Sequence, residues 1–351
     1  AVDHPNARRI NVKPMPSAGG VAIFVAFSAI VLLVLPRFVS LPNYPGITDS
    51  YLSYVWPFVL GGGIVAATGL IDDIVELGAK SKLLGQIAGA CIIWFFTTSH
   101  FDNFKIPFGG PLLVFPDWLS FLATIFWILA ITNAVNLIDG LDGLASGVSI
   151  ISLTTMGLVA YFFLGTTNVY LPITIFVLVF AIVGFFPYNF PPAIIYLGDT
   201  GALFLGFMIS VLSLQGLKNA TAVAVVTPML ILGVPLTDTV VAMIRRKLNG
   251  GSMVEADRMH LHHRLLSLGL TQHAAVLVIY GIAGIFSFIA LILNVSSRWG
   301  GTFLLVFSLI GLEVLIELIG VLGENRTPLL NIVKFIGNSE YRQEVKKRRK
   351  M

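Results

Sequence analysis

Thiols are nearly absent from this sequence. Its one cysteine, Cys91, sits in an apolar run, so neither an intrachain disulfide nor a cysteine metal site can be built. Charge is scarce as well: 11% of the 351 residues are Asp, Glu, Lys or Arg, against roughly 25% in soluble domains. With 56% hydrophobic residues, that balance excludes an ordinary soluble chain and indicates a polytopic membrane protein. No internal repeat and no soluble second domain can be discerned. A signal-peptide pattern is missing too, because a polar, basic stretch precedes the first apolar run. The chain opens on Ala1 rather than Met, and the expectation is a processed or truncated start with an earlier span missing.

What is present is a series of apolar runs. About 20 such residues cross a ~30 Å hydrocarbon core as a helix. About ten spans are predicted, at 19–35, 54–71, 83–98, 118–135, 144–164, 169–186, 201–214, 220–244, 274–293 and 301–322. The run at 201–214 is short and is expected to be tilted or extended by its neighbours. Residues 101–115, with Gly109-Gly110 between short apolar pieces, read as a small extracytoplasmic hairpin. The expected fold is an all-α polytopic membrane protein. One transmembrane catalytic domain covers 1–322, with a cytoplasmic histidine loop at 245–273, and a basic cytoplasmic tail covers 323–351.

Lys and Arg placement orients these spans. One side receives Arg8, Arg9, Lys13, Lys80, Lys82, Arg245, Arg246, Lys247, Arg258, Arg264 and the basic residues after Leu322. The other receives only Arg37, Lys105, Lys218 and Arg298, so the first side is cytoplasmic by the positive-inside rule. The tail Lys346-Lys347-Arg348-Arg349-Lys350 gains about 1 kcal/mol per residue near anionic lipid. It reads as a topology anchor and not as a nucleic-acid site.

The polar side chains sort the same way. Asp72, Asp73 and Glu76 follow the second run, and Asp139 and Asp142 follow the fourth. Asn189 and Asp199 come after the sixth, and His260, His262 and His263 fall in the loop after the eighth. All lie on the cytoplasmic side, as a single active site at a membrane surface requires. The densest stretch, Asn133 to Gly143, ends one apolar run and opens the next. A carboxylate in hydrocarbon costs ~2.5–3.5 kcal/mol on insertion scales. By itself the stretch also reads as a plain polar turn with Asp solvated by water and headgroups. Carboxylates and amides without thiols suit a hard cation such as Mg²⁺, with Mn²⁺ as the alternative. Lys82 and Arg258 near histidines suit an anionic substrate. Together they describe phosphoryl transfer to or from a lipid.

Five ordered signatures make the chain resemble the polyprenyl-phosphate N-acetylhexosamine-1-phosphate transferases, nearest the WecA and TagO branch. They are Pro5 to Arg9 with Lys13 to Pro16 and Gly19-Gly20; Asp72-Asp73 with Lys82 and Gln86; Asn133 to Gly143; Asn189 to Gly201; and His260-Leu261-His262-His263. The last has the His-x-His-His form rather than MraY's three consecutive histidines. Glu76 stands where relatives often carry a third aspartate, Asn11 where many have His, and Ile194 where some have Lys or Arg.

The resemblance implies that undecaprenyl phosphate attacks the β-phosphorus of UDP-N-acetylglucosamine at the cytoplasmic face of a bacterial plasma membrane. It implies Asp199 as metal ligand with Asn136 as a second, and Lys82 on the diphosphate. Asp142, Asn189 and Tyr196 would hold uracil, Tyr196 by stacking. Asp72 or Asp73 would orient or deprotonate the lipid phosphate, with Asp72 slightly preferred, and Asp139 joins the catalytic set. His260, His262 and His263 would meet phosphate or sugar, a zinc site being the alternative. Lys13 is either a lipid-phosphate contact or a topology marker. Asp238 is read as structural, Glu313 and Glu317 share one helical face without an assigned role, and a homodimer is left open.

Rival readings fit less well. A secondary transporter is expected to place its key polar groups near mid-membrane. An intramembrane aspartyl protease needs Gly-x-Gly-Asp, and Tyr196 replaces its first glycine. A CDP-alcohol phosphotransferase needs Ala-Arg where Ser146-Gly147 stands.

Overall fold

The computed structural model describes residues 2–3, 14–39, 46–105, 112–163, 169–216, 229, 233, 261–319 and 331. The predicted span at 220–244, apart from residues 229 and 233, Lys13, Asp238, His260 and the basic tail, apart from residue 331, lie outside the described residues.

Two short strands, β1 (Val2–Asp3) and β2 (Met15–Pro16), pair antiparallel ahead of the first helix. Helix α1 (Gly19–Ala29) runs on through a π-helical stretch at Ile30–Val34 into Leu35–Val39. Then come α2 (Gly46–Val75), α3 (Ala79–Phe96), α4 (Asp117–Ile138), α5 (Leu144–Phe163), α6 (Tyr170–Asn189) and α7 (Gly198–Gly216). The C-terminal part holds the short α8 (Leu261–Ser267), α9 (Gln272–Val295) and α10 (Arg298–Ile319).

Among the described residues, seven helical stretches are long and apolar enough to cross a membrane: α1 with its continuation (Gly19–Arg37), α2, α4, α5, α6, α7 and α9. The apolar part of α10, Trp299–Val314, is shorter. The third predicted span forms a helix of 18 residues, but α3 is not among those seven. Lys80, Ser81, Lys82 and Gln86 make its first half polar, and Lys82 and Gln86 face neighbouring helices rather than lipid. Against about ten spans expected from the sequence, the described residues thus hold seven clear ones.

Helix α7 is the axis of the bundle, packed by α2, α4 and α1. Phe204, Phe207 and Met208 on it are fully buried. The short apolar run at 201–214 extends in both directions into a helix of 19 residues. Lipid is as apolar as leucine, so helices in a membrane associate through close packing of small residues. Here a Cβ added to Gly69 of α2 would lie 2.6 Å from the Asp199 carbonyl oxygen. One added to Gly206 would lie 2.7 Å from Thr132 Cα on α4. Glycine thus lets α2 and α4 approach α7 to backbone contact.

The predicted hairpin is present. Strand β3 (Asn103–Lys105) pairs antiparallel with β4 (Leu112–Val114), Asn103 opposite Val114 and Lys105 opposite Leu112. Asp102 ties it to α4: its carboxylate accepts Ser120 Oγ at 2.9 Å, and its carbonyl accepts Phe115 N at 2.8 Å.

Candidate active site

Asp72 and Asp73 are adjacent on α2, so they point about 100° apart around it. Asp73 reaches the start of α7. Its Oδ1 accepts the Asp199 N–H at 2.9 Å, and its Oδ2 accepts Thr200 N–H at 3.0 Å and Thr200 Oγ1 at 2.7 Å. First-turn amides of a helix have no intrahelical partner and carry partial positive charge, so a carboxylate there is favourable. Asp73 therefore caps α7 from a neighbouring helix and sets where Asp199 emerges. Gly198, at φ +72°, makes this approach feasible, since a Cβ there would lie 2.7 Å from Asp73 Oδ2.

Asp72 turns the other way and is buried. Its Oδ1 accepts the Leu77 N–H at 2.7 Å where the chain leaves α2, and its Oδ2 forms an ion pair with Lys82 Nζ. Lys82, at the polar start of α3, also donates to Asp199 Oδ2 at 3.2 Å. Asn136, near the end of α4, donates through Nδ2 to Asp199 Oδ1 at 2.5 Å. Four helices thus each supply one member of a contiguous set: Asp72, Lys82, Asn136 and Asp199. Burial alone would depress the Lys82 pKa, but the Asp72 and Asp199 carboxylates more than offset it. The ammonium therefore stands above the ordinary lysine value and stays charged. Two carboxylates share this one cation.

One turn further into the bundle, Gln86 and Asn133 brace α3 against α4. Asn133 Nδ2 donates to Gln86 Oε1 at 2.7 Å, and Gln86 Nε2 returns a bond at 3.4 Å. Gln86 lies four residues after Lys82 and Asn133 three before Asn136, so the pair supports both on the same helix faces.

The turn from Asp139 to Gly143 joins α4 to α5. Asp139 is the partly exposed C-cap of α4. His262 on α8 is buried with its imidazole packed on Gly140, where an added Cβ would overlap the ring. His263 lies beside it, ring centroids 4.2 Å apart. Beyond the turn, Asp142 Oδ2 accepts the Ala193 N–H at 3.0 Å. Buried Asn189 accepts Ser146 Oγ at 2.7 Å and donates to the Ile195 carbonyl at 3.0 Å. Tyr196 is held by its backbone: its N–H bonds Pro16 O at 2.9 Å, and its carbonyl accepts Gly19 N–H at 3.1 Å. Asp142, Asn189 and Tyr196 thus line one folded segment that leads directly into Asp199.

A family model described as "Glycosyl transferase family 4" matches residues 55–217. A Bacillus subtilis protein named probable undecaprenyl-phosphate N-acetylglucosaminyl 1-phosphate transferase is 39% identical, over 95% of this chain and 88% of its own length. A decaprenyl-phosphate N-acetylglucosaminephosphotransferase of Mycolicibacterium smegmatis is 35% identical, over 82% of this chain and 74% of its own. An undecaprenyl-phosphate alpha-N-acetylglucosaminyl 1-phosphate transferase of Salmonella typhimurium is 28% identical, over 79% and 72%. The chain belongs to the polyprenyl-phosphate N-acetylhexosamine-1-phosphate transferase family.

Of the residues that the motifs of this transferase family single out, the structure brings Asp72, Asp73, Lys82, Asn136 and Asp199 into direct contact. It sets Asp139 and His262 on the turn that follows Asn136. Asp142 and Asn189 do not join the four-helix set and hold the segment of residues 193–195 instead. Lys13 and His260 lie outside the described residues. Sequence reasoning did not find Thr200, which shares Asp73, or Tyr280, whose hydroxyl reaches Gly143. Thr200 had a weak signal in following Asp199 directly. Tyr280 had none, lying inside an apolar run.

Proposed function

We propose that the protein transfers N-acetylglucosamine-1-phosphate from UDP-N-acetylglucosamine to undecaprenyl phosphate at the cytoplasmic face of a bacterial plasma membrane. A lipid-phosphate oxygen forms a bond to the β-phosphorus while the bond from that phosphorus to the bridging oxygen breaks. The products are undecaprenyl-diphospho-N-acetylglucosamine and UMP. The product would prime a cell-surface polymer, teichoic acid or another polysaccharide. The observation that carries this reading is the junction of two carboxylates, one ammonium and one carboxamide from four helices in a chain 39% identical to a named transferase of this kind.

The donor set fits a hard divalent cation. Its two carboxylates offer oxygen atoms only, and the place between Asp72 Oδ2 and Asp199 Oδ2 already draws a cation, the Lys82 ammonium. Among the described residues no three His, Cys, Asp or Glu side chains are grouped to hold an ion alone. A pair of carboxylates suits Mg²⁺, or Mn²⁺, completed by substrate phosphate oxygens. Asp199 would hold the ion, with Asn136 joining after a half-turn of its amide, whose oxygen and nitrogen are nearly isosteric. When bound, the cation would neutralise charge on the diphosphate as UMP departs.

The chain's own groups do the rest in this reading. Lys82 moves from the carboxylates to the donor diphosphate. Asp72, released from Lys82, orients the lipid phosphate and takes its proton when the monoester carries one. At neutral pH that monoester already bears ~1.5–2 negative charges, so alignment matters more than activation. Asp73 holds the turn that carries Asp199. Asp142, Asn189 and Tyr196 receive the uridine, and the histidines with Asp139 meet the phosphates or the sugar. Purified protein with polyprenyl phosphate should exchange labelled UMP into UDP-N-acetylglucosamine only when Mg²⁺ or Mn²⁺ is present. Exchange with another UDP-sugar alone would overturn the donor assignment, and exchange in EDTA would overturn the metal.

A further inference from the structure

Tyr280, on α9, lies beyond every motif used above, yet both its ring and its hydroxyl engage the start of α5. The hydroxyl donates to the Gly143 carbonyl at 2.5 Å. That carbonyl also accepts Gly147 N at 2.9 Å and lies 3.0 Å from Ser146 Oγ, the hydroxyl bonded to Asn189. The ring fills the hollow left by Gly147, where any Cβ would overlap it, and stands 6.4 Å from the Phe186 ring of α6. Gly143 itself has φ +73°, and a Cβ there would lie 3.3 Å from both the Tyr280 hydroxyl and Phe190 Cα. Two glycines therefore serve as seats, Gly140 for the His262 ring and Gly147 for the Tyr280 ring.

We propose that Tyr280 is a positioning residue for the donor nucleotide: by tying down the Gly143 carbonyl it sets Asp142 and Asn189 against the segment that carries Tyr196. It touches no substrate and acts through its neighbours. The hydroxyl fixes the first turn of α5. Asp142 precedes that turn and accepts Ala193 N–H, while Ser146 within it bonds Asn189. Losing the tie frees these contacts to shift together. The catalytic set of Asp72, Lys82 and Asp199 on α2, α3 and α7 is left alone. This inference rests on Asp142 and Asn189 holding uridine.

The test compares full-length wild type with Tyr280→Phe in detergent or nanodiscs, using labelled UMP. Phe keeps the ring in its seat and removes only the hydroxyl. A hydrogen bond of ordinary net strength predicts a rise of about threefold to tenfold in the dissociation constant for UMP. The KM for UDP-N-acetylglucosamine should rise in parallel, with kcat and the KM for polyprenyl phosphate unchanged. Gly147→Ala, which pushes the ring off its seat, should weaken UMP at least as much. A merely structural tyrosine would lower the melting temperature and the active fraction but leave both KM values alone. Unchanged UMP affinity in Tyr280→Phe overturns the proposal, as does an equal rise in the KM of the lipid. Wild type that binds UMP but makes no lipid-linked N-acetylglucosamine would refute the assigned donor while still testing Tyr280. Wild type that fails to bind UMP overturns both.

Discussion

Helix α7 carries polar groups at both ends, and the ends are built differently. At its C-terminal end Gln215 accepts the Tyr54 hydroxyl at 2.6 Å and donates to Ser99 Oγ at 3.1 Å. Slightly further in, Trp127 Nε1 donates to Ser213 Oγ at 3.0 Å. These groups are neutral, and each donor meets an acceptor. At the N-terminal end, about 24 Å away by helix rise, two carboxylates crowd around one ammonium. Neutral matched pairs hold helices together cheaply in a low-dielectric setting. Ionised groups at the membrane boundary are costly and mark sites of function. One end of the same helix is thus a fastening, and the other gathers two carboxylates around one ammonium, the place where the proposed divalent cation would sit.

Substitutions at the two ends should separate these roles, and the largest effect is expected at Asp199. Asp199→Asn should lower UMP exchange by about a thousandfold or more while the protein stays folded in size-exclusion profiles. Full activity would remove Asp199 from the site. Asp72→Asn should also abolish transfer without loss of melting temperature. By contrast, Asp73→Asn should lose activity together with about 1–2 kcal/mol of stability, because it weakens a helix cap. If thermal unfolding shows the opposite pattern, the division between Asp72 as reacting group and Asp73 as positioning group fails. Lys82→Gln should raise the KM for the UDP-sugar about tenfold or more, since charged hydrogen bonds to phosphate are the stronger kind. It should also let Mn²⁺ alone raise the melting temperature, because the resident ammonium no longer competes for the carboxylates. Smallest of all, Tyr54→Phe at the opposite end should cost about 1 kcal/mol and leave kcat and both KM values unchanged. A kinetic defect there would mean that the fastened end is coupled to the reaction.

Much of this was legible in the sequence, and the part that was not has a physical cause. The apolar runs of α1, α2, α4, α5, α6 and α9 could be read directly, because burial in lipid needs only length and composition. Residues 72, 73, 82 and 199 could be placed together because their charges fall at run ends on one predicted side, whereas Asn136 joined them only through the family motif. The run at 83–98 forms helix α3, but what fastens its polar first half could not be read from the sequence. Its Lys82 and Gln86 are satisfied by Asp72, Asp199 and Asn133, partners that are far apart in sequence. The hairpin was legible through Gly109-Gly110, but the Asp102 anchor that docks it on α4 was not.

Composition and motif order along the chain determined that this is a membrane-spanning transferase and singled out the few polar residues proposed to bear its chemistry. Hydrophobic length and motif spacing are local properties that need no knowledge of neighbours. Tertiary structure alone decided that Asp73 caps a helix while Asp72 shares a lysine with Asp199, and that a tyrosine from α9 fastens the turn after Asn136. Two adjacent aspartates are equivalent in a one-dimensional text. On a helix they face directions about 100° apart, and what each meets there sets its role.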